Sequence, residues 1–384
     1  MLMWKRKKNS KLLIVEMFIS FLLLFALSVI LVKNASNYLK PIGFEYENIW
    51  VLDINFNTEL NNEEEIVARR ELFHLIIKEI KAIPDVVNLT NCTSNFPYDM
   101  SVFSSGIRFN DKHANSNRVN TDVTFAEVMH LEVQEGRWFS NNDVGQKEIP
   151  IVINSVLKGI LFEDEPAINK VIDSGMFKVV GIVENYKIKG EFAEHTPTYF
   201  TMMKPEEYSN VILIKSKPET GEEFEAQLIS RTSTLAKDWT ITIKKLSDYR
   251  NDMFKLTWIP FIIISAISGF LIINILLGLL GSLWYNINHR KSEIGLRKSV
   301  GAPANKIIQQ FTCEMLVLAT LGVVPGLVIA VQFPLLKAFG VEAKVYVLAM
   351  LAAALLIYIL VVLCALLPSA QAAKIQSAMA LHEE

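Results

Sequence analysis

The residues best placed to do chemistry lie in 288–310, N-H-R-K-S-E-I-G-L-R-K-S-V-G-A-P-A-N-K-I-I-Q-Q, a charged interruption between two long apolar runs. Its cations Arg290, Lys291, Arg297, Lys298 and Lys306 stand against a single carboxylate, Glu293. Basic residues in a short loop beside a span mark the cytoplasmic side of a membrane. Read that way alone, the segment is a topology signal with no partner. Its order says more: Ile294 and Leu296 flank Gly295, and Arg297 follows before Val300 and the stop signal Gly301. This spacing predicts a short amphipathic surface helix.

Bond-making chemistry finds no footing elsewhere. The sequence has no G-x-x-x-x-G-K-[ST] loop to cradle a nucleotide phosphate, and no G-x-S-x-G turn to present a serine nucleophile. Its six histidines, His74, His113, His130, His195, His289 and His382, are scattered without metal-ligand spacing. Of three cysteines, Cys92 alone lies outside the apolar runs, so no disulfide framework is expected. A hydrolase held by membrane anchors therefore lacks a catalytic constellation. Two carboxylates fall inside apolar runs, Glu16 and Glu314. An ionisable group there needs water or a partner, so each either snorkels to the interface or makes a polar contact within the helix bundle.

The elements that would position these residues are mostly membrane helices. Four apolar runs, 12–32, 258–285, 311–336 and 345–367, each reach the roughly 20 residues that carry a helix across a bilayer. The first follows a basic start in 1–11 and has no A-x-A site after it, so an uncleaved span is expected. An even number of spans puts both ends on one side. With the basic start, the 286–310 loop and the 368–384 tail cytoplasmic, 33–257 and the short 337–344 loop lie outside. Lys337 and Lys344 run against the charge bias in that short loop. Small residues in the third span, Gly322, Pro325 and Gly326, suit close helix packing or a kink, and Gly269, Gly278 and Gly281 do the same in the second.

The outer segment 33–257 holds 25 Lys and Arg against 34 Asp and Glu, so nucleic acid is no partner for it. It predicts an α+β domain. Alternation in 49–56, a helix after Asn61 or Asn62 with three glutamates, a Pro84 stop and a strand at 86–90 make one β-α-β unit within 45–94. A second occupies 205–250, with a strand at 211–215, a helix at 222–235 and a strand at 239–246. Both are expected near the membrane, with a β-rich subdomain at 95–204 inserted between them. Its expected strands are 123–125, 149–153 and 177–183, and its helix is 155–162.

Several passages together resemble the MacB-like and FtsX-like permease family. Arg290, Glu293, Ile294, Gly295, Leu296, Arg297, Ser299, Val300, Gly301 and Ala302 follow that family's R-x-x-E-I-G-[IL]-R-x-[AS]-[LV]-G-A pattern. The outer passages V-T-F-A-E-V-M-H-L-E-V-Q-E-G-R-W-F and V-V-G-I-V-E-N-Y-K are similar to its periplasmic domain, with Gly136, Arg137 and Phe139 in register. Pro368, Ala372, Ala373, Ile375, Ala380 and Leu381 follow its closing signature, although Ser377 or Ala378 stands where a proline is usual.

The resemblance implies a four-span permease of a bacterial cytoplasmic membrane that binds no cofactor itself. ATP and Mg would sit on a separate ABC ATPase, expected in two copies. A second permease copy, homologous or identical, and in some relatives a periplasmic adaptor would complete the assembly. The charged loop would be the ATPase contact, and its movement would be passed to the outer domain to export or extract a substrate. The resemblance leaves open an FtsX-like regulatory role, controlling an extracytoplasmic partner, and a lipoprotein-releasing one.

Overall fold

The computed structural model describes residues 2–57, 62–93, 95–204, 207–289, 296, 300 and 303–373. The chain divides into two compact units: Asn37–Thr257, and Met1–Ser36 together with Trp258–Glu384.

In chain order the elements are α1 (Leu2–Leu39), β1 (Ile49–Phe56), α2 (Glu63–Lys81), β2 (Val86–Cys92), β3 (Ser104–Phe109), β4 (Lys112–Thr121), α3 (Phe125–Val128) and β5 (Val133–Gly136). There follow β6 (Ile149–Asn154), α4 (Ser155–Leu161), β7 (Val171–Ile172), β8 (Phe177–Val183), β9 (Thr198–Met202), β10 (Val211–Ser216), α5 (Glu222–Leu235) and β11 (Trp239–Lys245). Last come α6 (Leu246–His289), α7 (Ala304–Ala330), α8 (Gln332–Leu335) and α9 (Ala343–Ala373).

The expected pair of β-α-β units is present, but interleaved. In the sheet order β11-β1-β10-β2, each strand of one unit lies between or beside strands of the other, and all three pairings are antiparallel. This is the split β-α-β arrangement of ferredoxin-like sheets. It follows from two-sided burial of β1. Trp50, Leu52 and Ile54 enter a core with Phe73, Ile76 and Ile80 of α2 and Phe224 and Leu228 of α5. Ile49 and Val51 enter the opposite core with Tyr98, Tyr186 and Phe200. A strand apolar on both faces is satisfied only in a sheet interior. Asn62 starts α2: its side chain accepts from the backbone N–H of Glu65 at 2.9 Å, and the first-turn glutamates face the positive end of the helix dipole.

The insertion extends the same sheet as β2-β4-β9-β6-β8-β5, joined through the one bridge Cys92–Thr121. Residues 123–125, expected as a strand, instead form a turn into α3. Asp122 accepts from the N–H of Thr124 at 3.0 Å and from the Thr90 hydroxyl at 2.6 Å, which bends the chain and buries Phe125. Gly136 and Gly181 explain two of the family-like passages by geometry. Gly136 sits at φ 73°, and a Cβ on Gly181 would overlap the Arg137 carbonyl. Arg137 then grips buried Asp143 with two bonds of 2.6 Å, and Asp143 also accepts from the Ser140 N–H at 2.8 Å.

Four helices are long and apolar enough to cross a membrane among the described residues: Leu13–Leu39, Leu246–Gly281, Ile308–Leu335 and Ala343–Ala365. Their core follows helical spacing. Met17, Phe21 and Leu24 of α1 pack with Ala319 and Val323 of α7 and with Ala349, Ala353 and Ile357 of α9. Four such helices plus a mixed α/β unit are the expected fold class.

The Arg137 guanidinium holds Asp143 down at about 2, against an ordinary 3.8. Its stabilisation is therefore complete above the ordinary value and lost as pH falls through about 2. Arg137→Met should lower the unfolding free energy of the full chain by about 2 kcal/mol, because it strands a buried carboxylate. The variant should also lose the part of the acid-dependent destabilisation that falls between these values, as read by denaturant melts across pH.

Candidate functional site

Of the predicted coupling residues, the structure describes Leu296 and Val300. Leu296 is 58% exposed and Val300 84% exposed, and the Val300 N–H donates to the Leu296 carbonyl at 3.2 Å. Arg290, Glu293, Ile294, Gly295, Arg297 and Gly301 lie outside the described residues, as does the tail beyond Ala373. Two apolar side chains thus stand open to the surroundings in the loop between α6 and α7.

The intramembrane residues separate into two groups. Gly322 and Gly326 are at a helix crossing: a Cβ on Gly322 would lie 2.6 Å from the Met17 Cβ, and one on Gly326 would run into the Phe21 ring. With Ala319, Val323 and Ala330 they form the face of α7 that meets the core. Small residues there let the backbones approach, which is how helices associate where no hydrophobic force separates lipid from protein. Pro325 is exposed on another face and takes no part in that contact. Glu314 accepts from Gln310, one turn earlier, at 3.1 Å. Gly278 gives its space to the Glu16 carboxylate, whereas among the described residues nothing lies within 4 Å of where a Cβ on Gly269 or Gly281 would stand.

The outer unit has a polar cluster that sequence reading missed. Lys187, the last residue of V-V-G-I-V-E-N-Y-K, is 0% exposed. Its Nζ donates to the carbonyls of Asn37 at 2.5 Å, Lys40 at 3.0 Å and Glu191 at 3.0 Å. Burial lowers its ammonium to about 8, with repulsion from Lys40 adding to the shift and Glu191 opposing it. The neighbouring Glu191 accepts from Arg250 Nε at 2.5 Å and from the Tyr98 hydroxyl at 3.3 Å. Burial beside Glu191 pushes that phenol far above its ordinary range. The Arg250 guanidinium stacks over Tyr46 and Phe254 at 4.6 and 4.7 Å. A lysine four residues past an apolar strand gives no sign of burial by itself. Its acceptor on Asn37 is 150 positions away.

Comparison with known proteins places this geometry in context. The pattern of the MacB-like periplasmic core domain matches residues 22–231, and that of the FtsX-like permease C-terminal matches 259–377. A macrolide export ATP-binding/permease protein MacB of Wolinella succinogenes is 22% identical over 81% of this chain and 49% of its own length. The uncharacterized ABC transporter permease YknZ of Bacillus subtilis is 24% identical over 65% of this chain and 63% of its own. The chain thus spans about half the length of the former. The crystal structure of the periplasmic region of MacB from Actinobacillus actinomycetemcomitans is 16% identical, with a TM-score of 0.39, over 56% of this chain and 97% of that one.

Gly322→Leu or Gly326→Leu should break the crossing of α7 with α1 and destabilise the chain by about 2 kcal/mol, as overpacking does. Gly269→Ala and Gly281→Ala should change nothing beyond a few tenths. Thermal aggregation of the detergent-solubilised chain distinguishes the two pairs.

Proposed function

As the chain belongs to the MacB-like, FtsX-like ABC transporter permease family, we propose that it is a transmitting subunit, which turns ATP hydrolysis on a partner into movement of its outer unit. The observation that carries this is the pair of open apolar residues, Leu296 and Val300, in a loop joining two spans and flanked by cations. An exposed Leu and Val beside Arg297 and Lys298 suit a groove on a folded protein, with the charges setting orientation. Glu293, Ile294, Gly295 and Gly301 complete that docking segment, and Arg290 leads into it.

In this reading ATP and Mg belong to an ABC ATPase bound in two copies, and the membrane is the bacterial cytoplasmic one with both termini inside. The positive charges of the 286–310 loop support that orientation. A second permease copy fits the surface of α6, whose span leaves Ile262, Ile263, Phe270 and Leu277 exposed. Docking of the ATPases moves the loop, and the chain continues from it through α6 to β11, so no solute needs to pass among the four helices. The role of the outer unit is to export or extract a substrate, with a periplasmic adaptor as a further partner.

Charge reversal at Glu293 and Arg297 combined with Ile294→Asp should cost at least about 2 kcal/mol of ATPase binding, as loss of a central apolar anchor does. The readout is recovery of the ATPase when the tagged chain is purified from membranes, together with the stimulation of ATP hydrolysis. Undiminished recovery and stimulation would overturn the proposal.

A further inference from the structure

We propose that Lys187 is the pin of a releasable latch, which ties the outer end of α1 and the start of α6 to the loop 184–195. Its use in a transport cycle rests on the reading above; its existence as a latch does not.

The polar geometry is built from one side. A helix ends with carbonyls that have no N–H partner, and a cation beside them is favoured by the helix dipole. The Lys187 ammonium supplies that cation to Asn37 and Lys40, at and just past the end of α1. Its third hydrogen goes to the Glu191 carbonyl, so all three donors are used. Glu191 then turns its carboxylate to Arg250 in the second turn of α6. A further tie runs from the Asn37 side-chain amide to the Phe192 carbonyl at 3.1 Å. The Phe192 ring lies between Tyr38 and Phe254, with centroids 5.3 Å from each. One short loop therefore grips both helices.

This grip differs in kind from the apolar cores. A dispersive contact weakens gradually as surfaces slide. A buried ammonium is either fully bonded or must reach water, because leaving it half-satisfied in a dry site is the costly state. Its three bonds therefore form or break together, which gives the joint two discrete arrangements. The charged groups facing the pin are Lys40 from beyond α1 and Glu191 and His195 from its own loop, and Arg250 of α6 faces Glu191. Of these, His195 donates from Nε2 to the Pro41 carbonyl at 2.9 Å.

The test is hydrogen exchange on the full chain in lipid nanodiscs. Lys187→Met keeps the stem and removes the donors. It should speed exchange about tenfold at the amides of Lys40, Gly190 and Ala193, while those of β6 and β8 keep wild-type protection. Glu191→Gln should loosen the same loop less. Unchanged exchange at these amides in Lys187→Met overturns the latch. Should that variant fail to fold, Asn37→Ala, which removes the Phe192 tie alone, should still give about a threefold increase, and no change there overturns it equally.

A second arm adds the co-purified ATPase with ATP to the wild-type chain. Faster exchange at the same amides supports release. Unchanged exchange, with ATPase recovered and stimulated, overturns release and leaves transmission standing. Failure to recover the ATPase with the wild-type chain overturns the transmission reading instead, and the Lys187→Met result then still decides the latch.

Discussion

The pairing of β1 with β11 is the constraint on which the outer unit depends. Trp50 lies opposite Lys245, so a strand that begins ten residues after α1 is hydrogen-bonded to the strand that ends where α6 begins. The chain leaves one long helix, builds about two hundred residues of structure, and is returned to its starting point by backbone hydrogen bonds. The four-stranded part is built from both sides of the insertion, β1 and β2 before it and β10 and β11 after it. The insertion joins that part through the sheet bridge of Cys92 with Thr121, through bonds such as that of the Thr90 hydroxyl to Asp122, and through the core that Tyr98, Tyr186 and Phe200 share with Ile49 and Val51. The register of the four-stranded part is secured independently by the two cores on its faces: a slip of one residue would exchange Trp50 and Leu52 with Val51 and Asp53.

The same logic separates what could be read in the sequence from what could not. The two β-α-β units and the long apolar helices are periodic over many residues, and periodicity survives without tertiary context. Strand β4 carries little: K-H-A-N-S-N-R-V-N-T has Ala114 and Val119 as its apolar residues, and it is a strand because β3 and β9 pair with it. The turn at Asp122 was hidden behind the β-branched Val123 and Thr124, whose strand preference yields to side-chain bonds from Thr90 and the Asn91 N–H. In the membrane unit, the glycine tract announced Gly322 and Gly326, yet only their contacts with Met17 and Phe21 separate them from Pro325. The Lys187 cluster was unreadable for a plainer reason. Its acceptors are backbone carbonyls, which have no sequence signature.

Two chemistries of packing thus divide the chain. Within the membrane unit the contacts are apolar side chains and bare glycine backbones, since lipid offers no water to compete for or to release. Polar groups there find partners within a helix, as Glu314 does in Gln310 one turn away, or across to another helix, as Thr320 does in Tyr358. In the unit Asn37–Thr257, the alternative partner of a hydrogen bond that breaks is water. A polar tie is then worth little net free energy, because breaking it exposes groups that water will satisfy. What it offers is discreteness. The Lys187 ammonium cannot hold two of its three carbonyls loosely, and the Glu191–Arg250 pair at 2.5 Å tolerates little sliding.

That difference bears on how force could travel through such a chain. Apolar helix crossings such as α1 with α7 resist separation in proportion to the area they bury, and they favour rigid-body tilting of helices as intact rods. A polar clamp fails at a threshold instead. If the rods tilt, strain at their outer ends accumulates on the groups that bind both, and in this unit those groups are Lys187 and Glu191. The interleaved sheet beyond them is closed by backbone hydrogen bonds on both sides of β1. In the proposed transmission, movement at the helix ends would displace the loop 184–195 before it distorted the sheet, and β8, which leads directly into that loop, pairs with β5 and β6 of the insertion.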